Sequence, residues 1–308
     1  MGRARGRRGR TVAVVLAVVT VAACGSSGPG ASGSSGAPGR PLVVATTTQL
    51  ADFARVVGGD DVQVVGLLKP NVDAHEYEAS PADLDRISRA ELVVRNGLGL
   101  DAWVDQALKA TETKAPVVVA TAGITPRMVD GEPDPHVWLD PRNAEVMVGD
   151  IATALAGLDA AHAPGFEARR AAYAAQLDTL DAEIAGQLAR VTNRKVVTNH
   201  DAFGYYLDRY GLTFVGSVIP SFDTQAELSA SELSDLVAAI RAQGVNVVFA
   251  ETSLPPKAAA ALAREAGVKV VEGAQALYGD SLGPAGSGAD TYLGMMRHDT
   301  ETFVDNLS

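Results

Sequence analysis

The sequence has a single cysteine, Cys24, and therefore has no partner for an internal disulfide. A metal site built from several thiolates is excluded for the same reason. A chain of 308 residues can fold without a disulfide, because a core of that size buries enough apolar surface to stabilise it.

Basic residues are too few to balance the acidic ones. The formal charge of the chain is −11 at pH 7, and five of its arginines lie within the first ten residues. Removal of residues 1–23 as a leader, which carry those five arginines and no acidic side chain, changes the charge to −16. A charge of this sign disfavours nucleic acid as a partner and favours a body that attracts cations.

No hydrophobic run at the N-terminus is long enough to cross a membrane. The apolar run there covers residues 11–23, whereas a transmembrane helix needs roughly 20 residues. It follows the five arginines and ends in VAACG (21–25), which resembles a bacterial lipobox. We therefore predict a lipoprotein signal peptide over residues 1–23 and lipidation of Cys24. An ordinary signal peptide followed by an incidental Cys24 is the alternative.

The segment after Cys24 has the composition of a tether. Residues 24–40 are mostly Gly, Ser, Pro and Ala and show no periodicity, which predicts a flexible linker. The protein is accordingly expected outside the cytoplasm, on the outer face of the cell membrane, with the lipid on Cys24 as its only contact with the bilayer.

Short apolar runs alternate with helical patterns from residue 41 onward. Four strands are predicted in each half of this region, at 42–47, 62–68, 92–95, 117–121, 195–199, 213–219, 245–251 and 268–272. Strands separated by amphipathic helices form parallel sheets. The pattern predicts an α/β fold with two lobes, each with a central, mostly parallel four-stranded sheet flanked by helices.

One long helical stretch joins the two halves. Residues 164 to about 191 are rich in Ala, Leu, Glu, Gln and Arg, and about 25 helical residues span nearly 40 Å. Such a helix predicts a rigid spine along both lobes, and a helical hairpin packed on one lobe is the alternative. The predicted boundaries are residues 41–162 for the N-terminal lobe, 163–192 for the connecting helix and 193–308 for the C-terminal lobe.

Three of the five histidines lie in short segments at predicted strand ends or loop-to-helix junctions. The segments are KPNVDAHEYE with His75, DPHVWLDP with His136 and TNHDAFGY with His200. A fourth segment, LYGDSLG, places Asp280 in a Gly-rich loop after the last predicted strand. Parallel sheets present ligand groups at such strand ends, and residues from both halves can meet only between the lobes.

Three imidazoles and a carboxylate suit zinc, which binds four such ligands tetrahedrally at about 2.0–2.2 Å. Taken singly, each of these histidines is more often an ordinary surface or core residue than a ligand. The sequence has no HExxH motif, so spacing alone provides no local signature of a metal site.

The three histidine segments closely resemble those of the zinc/manganese solute-binding lipoproteins that serve bacterial metal ABC importers. The likeness runs from about residue 42 to the C-terminus and includes the lipobox, the long helix and the terminal segment GMMRH (294–298). It implies that His75, His136, His200 and Asp280 are the metal ligands, with Asp290 as the fallback for Asp280. It also implies that the chain is not an enzyme but captures a metal ion between its lobes.

The choice of metal depends on two features. In this family a Glu at the third histidine position is associated with manganese or iron, and here that position is His200. Three imidazoles also fit zinc better than manganese, which prefers oxygen donors. Zinc members often carry a long loop rich in His and acidic residues before the second ligand, whereas residues 124–134 are short and contain no histidine. We predict Zn²⁺, with Mn²⁺ as the alternative.

Residues near the ligands receive supporting roles. Three acidic residues are candidates to orient the ligand histidines through hydrogen bonds: Glu76, Asp140 and Glu251. Trp138 and Phe203 are expected to wall the site, and ordinary core packing explains them equally well. His162 and His298 are interpreted as structural residues.

The resemblance implies a membrane permease and its ATPase as partners, with a metallochaperone as a further candidate, and a monomeric chain. A zinc hydrolase is the competing class, because a three-histidine site activates water when its fourth position is open. The sequence has no Gly-x-Ser-x-Gly motif and no phosphate loop, and Asp280 would fill that fourth position. An adhesin is a third interpretation, and it is compatible with transport.

Overall fold

The computed structural model describes residues 39–308. The predicted signal peptide, Cys24 and nearly all of the predicted linker lie outside the described residues. Following the predicted boundaries, residues 41–162 are called the first lobe and residues 193–308 the second lobe. Within residues 39–308, no helix combines the length and the apolar character needed to span a bilayer.

The sheet of the first lobe is parallel throughout and has the order β2-β1-β3-β4. Its strands are β1 (Leu42–Ala45), β2 (Gln63–Gly66), β3 (Leu92–Arg95) and β4 (Val117–Val119). Val43, Val44, Val93 and Val94 in the central strands are fully buried. Such continuous apolar strands are typical of a parallel sheet covered by helices on both faces.

Most of the helices begin at recognisable capping residues. The α-helices of residues 39–308 are α1 (Thr48–Gly58), α2 (Pro81–Ser88), α3 (Trp103–Thr111), α4 (Pro141–Leu158), α5 (Ala163–Leu188), α6 (Gly204–Tyr210), α7 (Ala230–Gln243), α8 (Lys257–Ala266) and α9 (Tyr292–Leu307). Ser80 and Asp83 form a reciprocal capping box at α2, and Ser229 and Glu232 form another at α7. These boxes satisfy amide groups that a helix start leaves unpaired.

The strands of the second lobe are hydrogen-bonded as two parallel pairs. They are β7 (Lys195–His200) with β8 (Thr213–Ile219), and β9 (Val247–Phe249) with β10 (Lys269–Val271). The four-stranded arrangement expected here is present as a layer in which β9 lies beside β7 without a continuous ladder between them. The three residues of β9 hydrogen-bond to β10, and side chains such as Val197 and Val248 join the two pairs in one core. The α/β fold with parallel strands is confirmed.

The long connecting helix is α5, whose 26 residues extend over about 39 Å. It packs against α1 and α4 of the first lobe and against α6 and α9 of the second, so it contacts both lobes. It is continuous over Ala163–Leu188, so the alternative of a helical hairpin in this stretch is wrong. It also follows α4 after a short turn and packs along it. The exact lobe boundaries stay a prediction.

The two lobes also contact each other directly near the carboxyl ends of their strands. Phe53 on α1 makes an edge contact with Tyr292 on α9, with ring centroids 5.0 Å apart. The Tyr292 hydroxyl donates to the carbonyl oxygen of Trp138 at 2.6 Å. The backbone N–H of Leu282 donates to Oγ1 of Thr48 at 2.8 Å. The loop that contains Leu282 is therefore held by the first lobe, although it follows the last strand of the second.

A short hairpin that the sequence analysis did not predict precedes the second histidine segment. Its strands are β5 (Met128–Val129) and β6 (Glu132–Pro133), which pair antiparallel. The turn between them uses Asp130 and Gly131, both with positive φ. Asp-Gly is a favoured pair for such a tight turn because both positions need a left-handed backbone.

Candidate metal centre

Each candidate ligand lies where a strand or a connecting loop ends between the lobes. His75 is in the loop between β2 and α2, and His136 directly precedes the 3₁₀ turn Val137–Leu139 that leads into α4. His200 is the last residue of β7, and Asp280 is in the loop between β10 and α9. The strand ends of both lobes therefore deliver polar side chains to one place, as parallel sheets do.

The four side chains converge on a common point. The Nε2 atoms of His75 and His136 are 3.2 Å apart, and those of His136 and His200 are 3.4 Å apart. Oδ1 of Asp280 lies 3.4 Å from Nε2 of His136, 3.5 Å from that of His200 and 3.8 Å from that of His75. Within residues 39–308 this is the one group of His, Cys, Asp and Glu side chains that meets the geometry of a metal site.

These separations fit a tetrahedral ion. Bonds of about 2.0–2.2 Å place neighbouring ligand atoms about 3.3–3.6 Å apart. The measured separations of 3.2–3.8 Å bracket that range. Neither carboxylate oxygen of the fully buried Asp280 accepts a hydrogen bond from the described residues. Because burial of a carboxylate without a partner is costly, the arrangement is that of a site for a cation.

Asp134 orients His136. Its Oδ1 accepts the backbone N–H of His136 at 3.0 Å and lies 2.8 Å from Nδ1 of the same residue. A proton on Nδ1 directed at Asp134 leaves Nε2 free to bind a metal, as in other carboxylate–histidine pairs. Both residues are fully buried. The sequence analysis missed Asp134, although its position two residues before a candidate ligand was the available signal.

Glu251 has the corresponding position behind His200. One of its oxygens accepts the backbone N–H of His200 at 2.9 Å, and the other lies 2.8 Å from Nδ1. Gly279 makes this approach possible, because a Cβ atom at that position would lie 2.4 Å from Oε2 of Glu251. The structure therefore places Glu251 where the sequence analysis expected an orienting carboxylate.

His75 is held differently from the other two histidines. It lies in a loop, its side chain is 7% exposed, and its backbone N–H donates to Asp73 at 2.8 Å. Asp73 also accepts a hydrogen bond from the hydroxyl of Thr224 in the second lobe, at 2.6 Å. Burial lowers the pKa of His75 to about 4, so this imidazole is neutral at pH 7.

A loop of the second lobe approaches the cluster from the His136 side. The ring of Phe222, in the loop between β8 and α7, lies 6.2 Å from that of His136. The same loop carries Thr224, which contacts the His75 loop through Asp73. Phe222 was missed in the sequence analysis, because a single aromatic residue in a polar loop carries no signal of a site.

The electrostatics of the metal-free cluster balance charge among its members. Burial acts to lower the pKa of His136, but the hydrogen bond with Asp134 and the nearby charged carboxylate of Asp280 raise it to about 9. Burial likewise opposes protonation of His200, whose pKa is nevertheless raised well above its usual range by Glu251 and Asp280. Burial acts to raise the pKa of Asp280, which His200 and His136 hold well below its usual range. A bound cation would replace the protons on the two histidines.

Two other acidic residues predicted near the ligands lie elsewhere. Glu76 is exposed and lines a cavity of about 720 Å³ in front of α7 and α8. Asp140 caps α4 through the N–H of Arg142 and forms an ion pair with Arg209 at 3.2 Å. The contacts of Asp140 are thus those of a helix cap. Asp290, the fallback for Asp280, is exposed and accepts the N–H of Gly286, while Asp280 lies in the cluster.

Of the two aromatic residues and the two remaining histidines, some lie near the cluster and others lie away from it. Trp138 contacts His136, with ring centroids 5.4 Å apart, and donates to the carbonyl oxygen of Gly279 at 3.1 Å. Phe203 packs in the core against Phe303. His298 on α9 lies 3.0 Å from the carbonyl oxygen of Ala276, and so supports the loop that carries Asp280. His162 is exposed beside Asp159, before α5.

Comparison with known protein families identifies the family of this chain. The model of the periplasmic zinc-uptake complex component A family, ZnuA, matches residues 43–306. The chain belongs to the ZnuA family. The match covers both lobes and all four residues of the cluster, so the family resemblance noted in the sequence extends over both lobes.

Relatives of known structure share the fold over their full length. The periplasmic zinc-binding protein TroA of Treponema pallidum is 33% identical over 277 residues, which are 87% of this chain and 89% of TroA. Its structure superposes with a TM-score of 0.82 and covers 88% of this chain and 100% of the TroA structure. The manganese-bound periplasmic metal-binding protein of candidatus Liberibacter asiaticus has a TM-score of 0.76 at 25% identity and covers 87% of this chain and 100% of that structure.

ZnuA-family relatives are named for different metals. The manganese-binding lipoprotein MntA of Bacillus subtilis is 32% identical over 275 residues, which are 86% of this chain and 89% of MntA. The iron-binding protein YfeA of Yersinia pestis is 29% identical over 269 residues, which are 85% of both chains. Family membership thus makes the chain a metal-binding substrate-binding protein of ABC importers, and the metal has to be argued from the site itself.

Proposed function

We propose that this protein captures Zn²⁺ between its lobes and delivers it to an ABC permease for import, with His75, His136, His200 and Asp280 as the ligands. The observation that carries the proposal is the convergence of three imidazole Nε2 atoms and one carboxylate oxygen, with five of the six separations at 3.2–3.8 Å and all within 4.8 Å. This donor set and these separations match the preferences of zinc.

Zinc is favoured over manganese by the number of nitrogen donors. Manganese prefers more oxygen ligands, and the intrinsic affinity of such a site is higher for zinc. A manganese-binding protein of the same importer class is the second candidate. It is supported by the absence of hydrogen-bond donors to either oxygen of Asp280, because a carboxylate that binds through both oxygens would raise the oxygen count.

Transport, rather than hydrolysis, is supported by the same ligand set. A hydrolytic zinc site keeps one position open for water. Here Asp280 is directed at the position where such a water would bind, and it is fully buried. The chain's own residues therefore hold the ion and exclude solvent, and His136 and His200 take up protons from solvent when the ion leaves.

We further propose that the protein works at the outer face of the cell membrane, anchored by a lipid on Cys24, as a monomer that contacts the permease and its ATPase complex. The support for this part is the sequence of the first 40 residues together with family membership. Mass spectrometry of the protein extracted from membranes tests the anchor directly. A diacylated Cys24 is expected, and a soluble mature chain that begins at another residue would contradict it.

The metal is tested by elemental analysis of mature protein purified without added metal, followed by zinc–manganese competition in calorimetry. We expect one zinc per chain and displacement of bound manganese by an equal amount of zinc. A His136→Ala variant purified in parallel is the control and should retain no stoichiometric metal. Retention of manganese in the presence of equimolar zinc would make manganese the substrate.

A further inference from the structure

The contacts behind His136 cross from the first lobe to the second. Arg127 donates from Nε to the carboxylate of Asp208 on α6 at 2.9 Å and from Nη1 to Asp134 at 3.2 Å. Asp134 in turn lies 2.8 Å from Nδ1 of His136. One guanidinium therefore joins a carboxylate of the second lobe to the carboxylate that orients a histidine of the first.

A second set of contacts runs beside the first. The hydroxyl of Tyr205 on α6 accepts the backbone N–H of Arg127 at 2.8 Å and donates to the carbonyl oxygen of Asp134 at 2.9 Å. The N–H of Asp134 donates to the carbonyl oxygen of Arg127 at 2.8 Å, which closes the hairpin between them. Residues 127–134 of the first lobe thus form a strap. Both ends of the strap are hydrogen-bonded to α6 of the second lobe, and the strap leads directly into His136.

Glycine at the start of α6 allows the strap to lie this close. A Cβ atom at Gly204 would be 2.3 Å from Nη1 of Arg127 and 2.9 Å from Oδ2 of Asp134. Both distances are shorter than a carbon atom can tolerate. Because alanine is the stronger helix former, a close approach of this kind is a physical reason for glycine at this position.

We propose that Arg127 is a positioning residue for metal binding, which keeps Asp134 and therefore His136 in the ligand orientation while the strap is attached to α6. The inference rests on the proposed function, since it concerns the same metal site. It assigns to residues 127–134 the task of coupling contact between the lobes to the geometry of one ligand. Asp134 loses one of its two side-chain partners when Arg127 is removed, and the His136 ring is then less constrained.

The two ion pairs of Arg127 differ in exposure. The side chains of Arg127 and Asp208 are 24% and 68% exposed, and a pair exposed to this degree contributes little to the free energy of unfolding. The carboxylate of Asp134 is fully buried, so loss of Arg127 should also lower the melting temperature of the metal-free protein. A spectroscopic change at the bound metal, rather than the melting temperature, therefore separates the positioning role from a structural one.

The first test compares Arg127→Gln with Arg297→Gln. The control removes an ion pair between α9 and Glu183 on α5, with side chains that are 44% and 42% exposed, and it touches no residue of the cluster. Zinc affinity is measured by competition with a chromophoric chelator. We expect Arg127→Gln to weaken zinc binding by about 10-fold, the lower end for loss of an outer partner of a metal ligand. Arg297→Gln should bind as wild type does, and Arg127→Lys should recover part of the affinity because it keeps a positive charge near Asp134.

The second test uses Gly204→Ala, which displaces the strap without removing any of its polar groups. Alanine is the better helix former, but its Cβ must push the Arg127 side chain aside, so the melting temperature of the metal-free protein should change little. Zinc affinity should nevertheless fall, and the visible spectrum of the cobalt-substituted protein should change because the His136 ligand moves. Equal zinc affinities of wild type, Arg127→Gln and Gly204→Ala would overturn the role of the strap. A wild-type protein that binds neither zinc nor cobalt would overturn the proposed function itself.

Discussion

The two sides of the candidate metal centre are built differently. His136 and His200 are fully buried, and each has a carboxylate behind its Nδ1 atom, Asp134 and Glu251 respectively. His75 lies in a loop, is partly exposed and is fixed only through its backbone N–H. The difference indicates a preorganised half that sets the geometry of the ion and an adjustable residue that the ion meets first on entry.

This comparison predicts unequal effects of removing the ligands, and these are the largest effects expected. His136→Ala or His200→Ala should weaken zinc binding by more than about 100-fold. Each variant removes a candidate ligand and leaves the carboxylate behind it without a ring to orient. His75→Ala should weaken binding less and should accelerate zinc dissociation, since it removes the residue nearest to solvent. Stopped-flow release of zinc to a chelator measures both quantities.

His162→Ala is the matched control for these variants. His162 is exposed and hydrogen-bonds to Asp159, remote from the cluster in the contacts it makes. His298 is a weaker control, because it supports the loop that carries Asp280 through Ala276. Equal affinity losses for His75→Ala and His200→Ala would remove the distinction between the two sides.

The carboxylates behind the histidines should produce the next largest effect. Glu251→Gln keeps the shape of the side chain and removes the negative charge that lies 2.8 Å from Nδ1 of His200. We expect zinc affinity to fall by about 10- to 100-fold. Asp140→Asn provides the control, because Asp140 was predicted to have the same role but caps α4 instead. A wild-type affinity for Glu251→Gln would show that the buried histidine does not depend on this carboxylate.

The contrast between Glu251 and Asp140 shows which features can be predicted from the sequence and which cannot. The strands and the long helix depend on local patterns, and these were predicted within a few residues. Glu251 and Asp140 both end apolar segments near the site, so local sequence does not distinguish them. Their roles differ because β7 and β9 lie side by side in the folded chain, which brings Glu251 to His200.

Contacts between distant segments explain the other omissions. Arg127 and Asp208 are 81 residues apart in the chain, and their pairing depends on how α6 packs on the hairpin. Phe222 reaches His136 from a polar loop with no periodic pattern. The candidate ligand histidines themselves were predicted through family resemblance, because residues scattered over both lobes form no local motif.

The smallest expected effect concerns the stability of the metal-free protein as a function of pH, and it separates the two sides once more. The pKa of His75 is lowered to about 4, below that of an unfolded histidine, so its burial makes the fold less stable as pH falls from 6.5 toward 4. The pKa of His136 is raised to about 9, so the stability it contributes is complete below pH 6.5 and is lost as pH rises through 9. The melting temperature of the metal-free protein should therefore be highest near pH 6.5 and fall by several degrees in both directions.

Two variants test which histidine causes the fall of the melting temperature below pH 6.5, the acid limb, and above it, the alkaline limb. His75→Gln should flatten the acid limb and leave the alkaline limb in place, whereas His136→Gln should do the reverse. Zinc-loaded protein should lack the alkaline limb, because the ion has already displaced the proton from His136. Stabilisation by zinc must then grow between pH 6.5 and 9, and calorimetry in buffers of different ionisation enthalpy should count the protons released. A metal-free melting temperature that rises steadily from pH 6.5 to 9 would mean that His136 and His200 are neutral before the metal arrives, and that the site is held ready by its hydrogen bonds rather than by balanced charge.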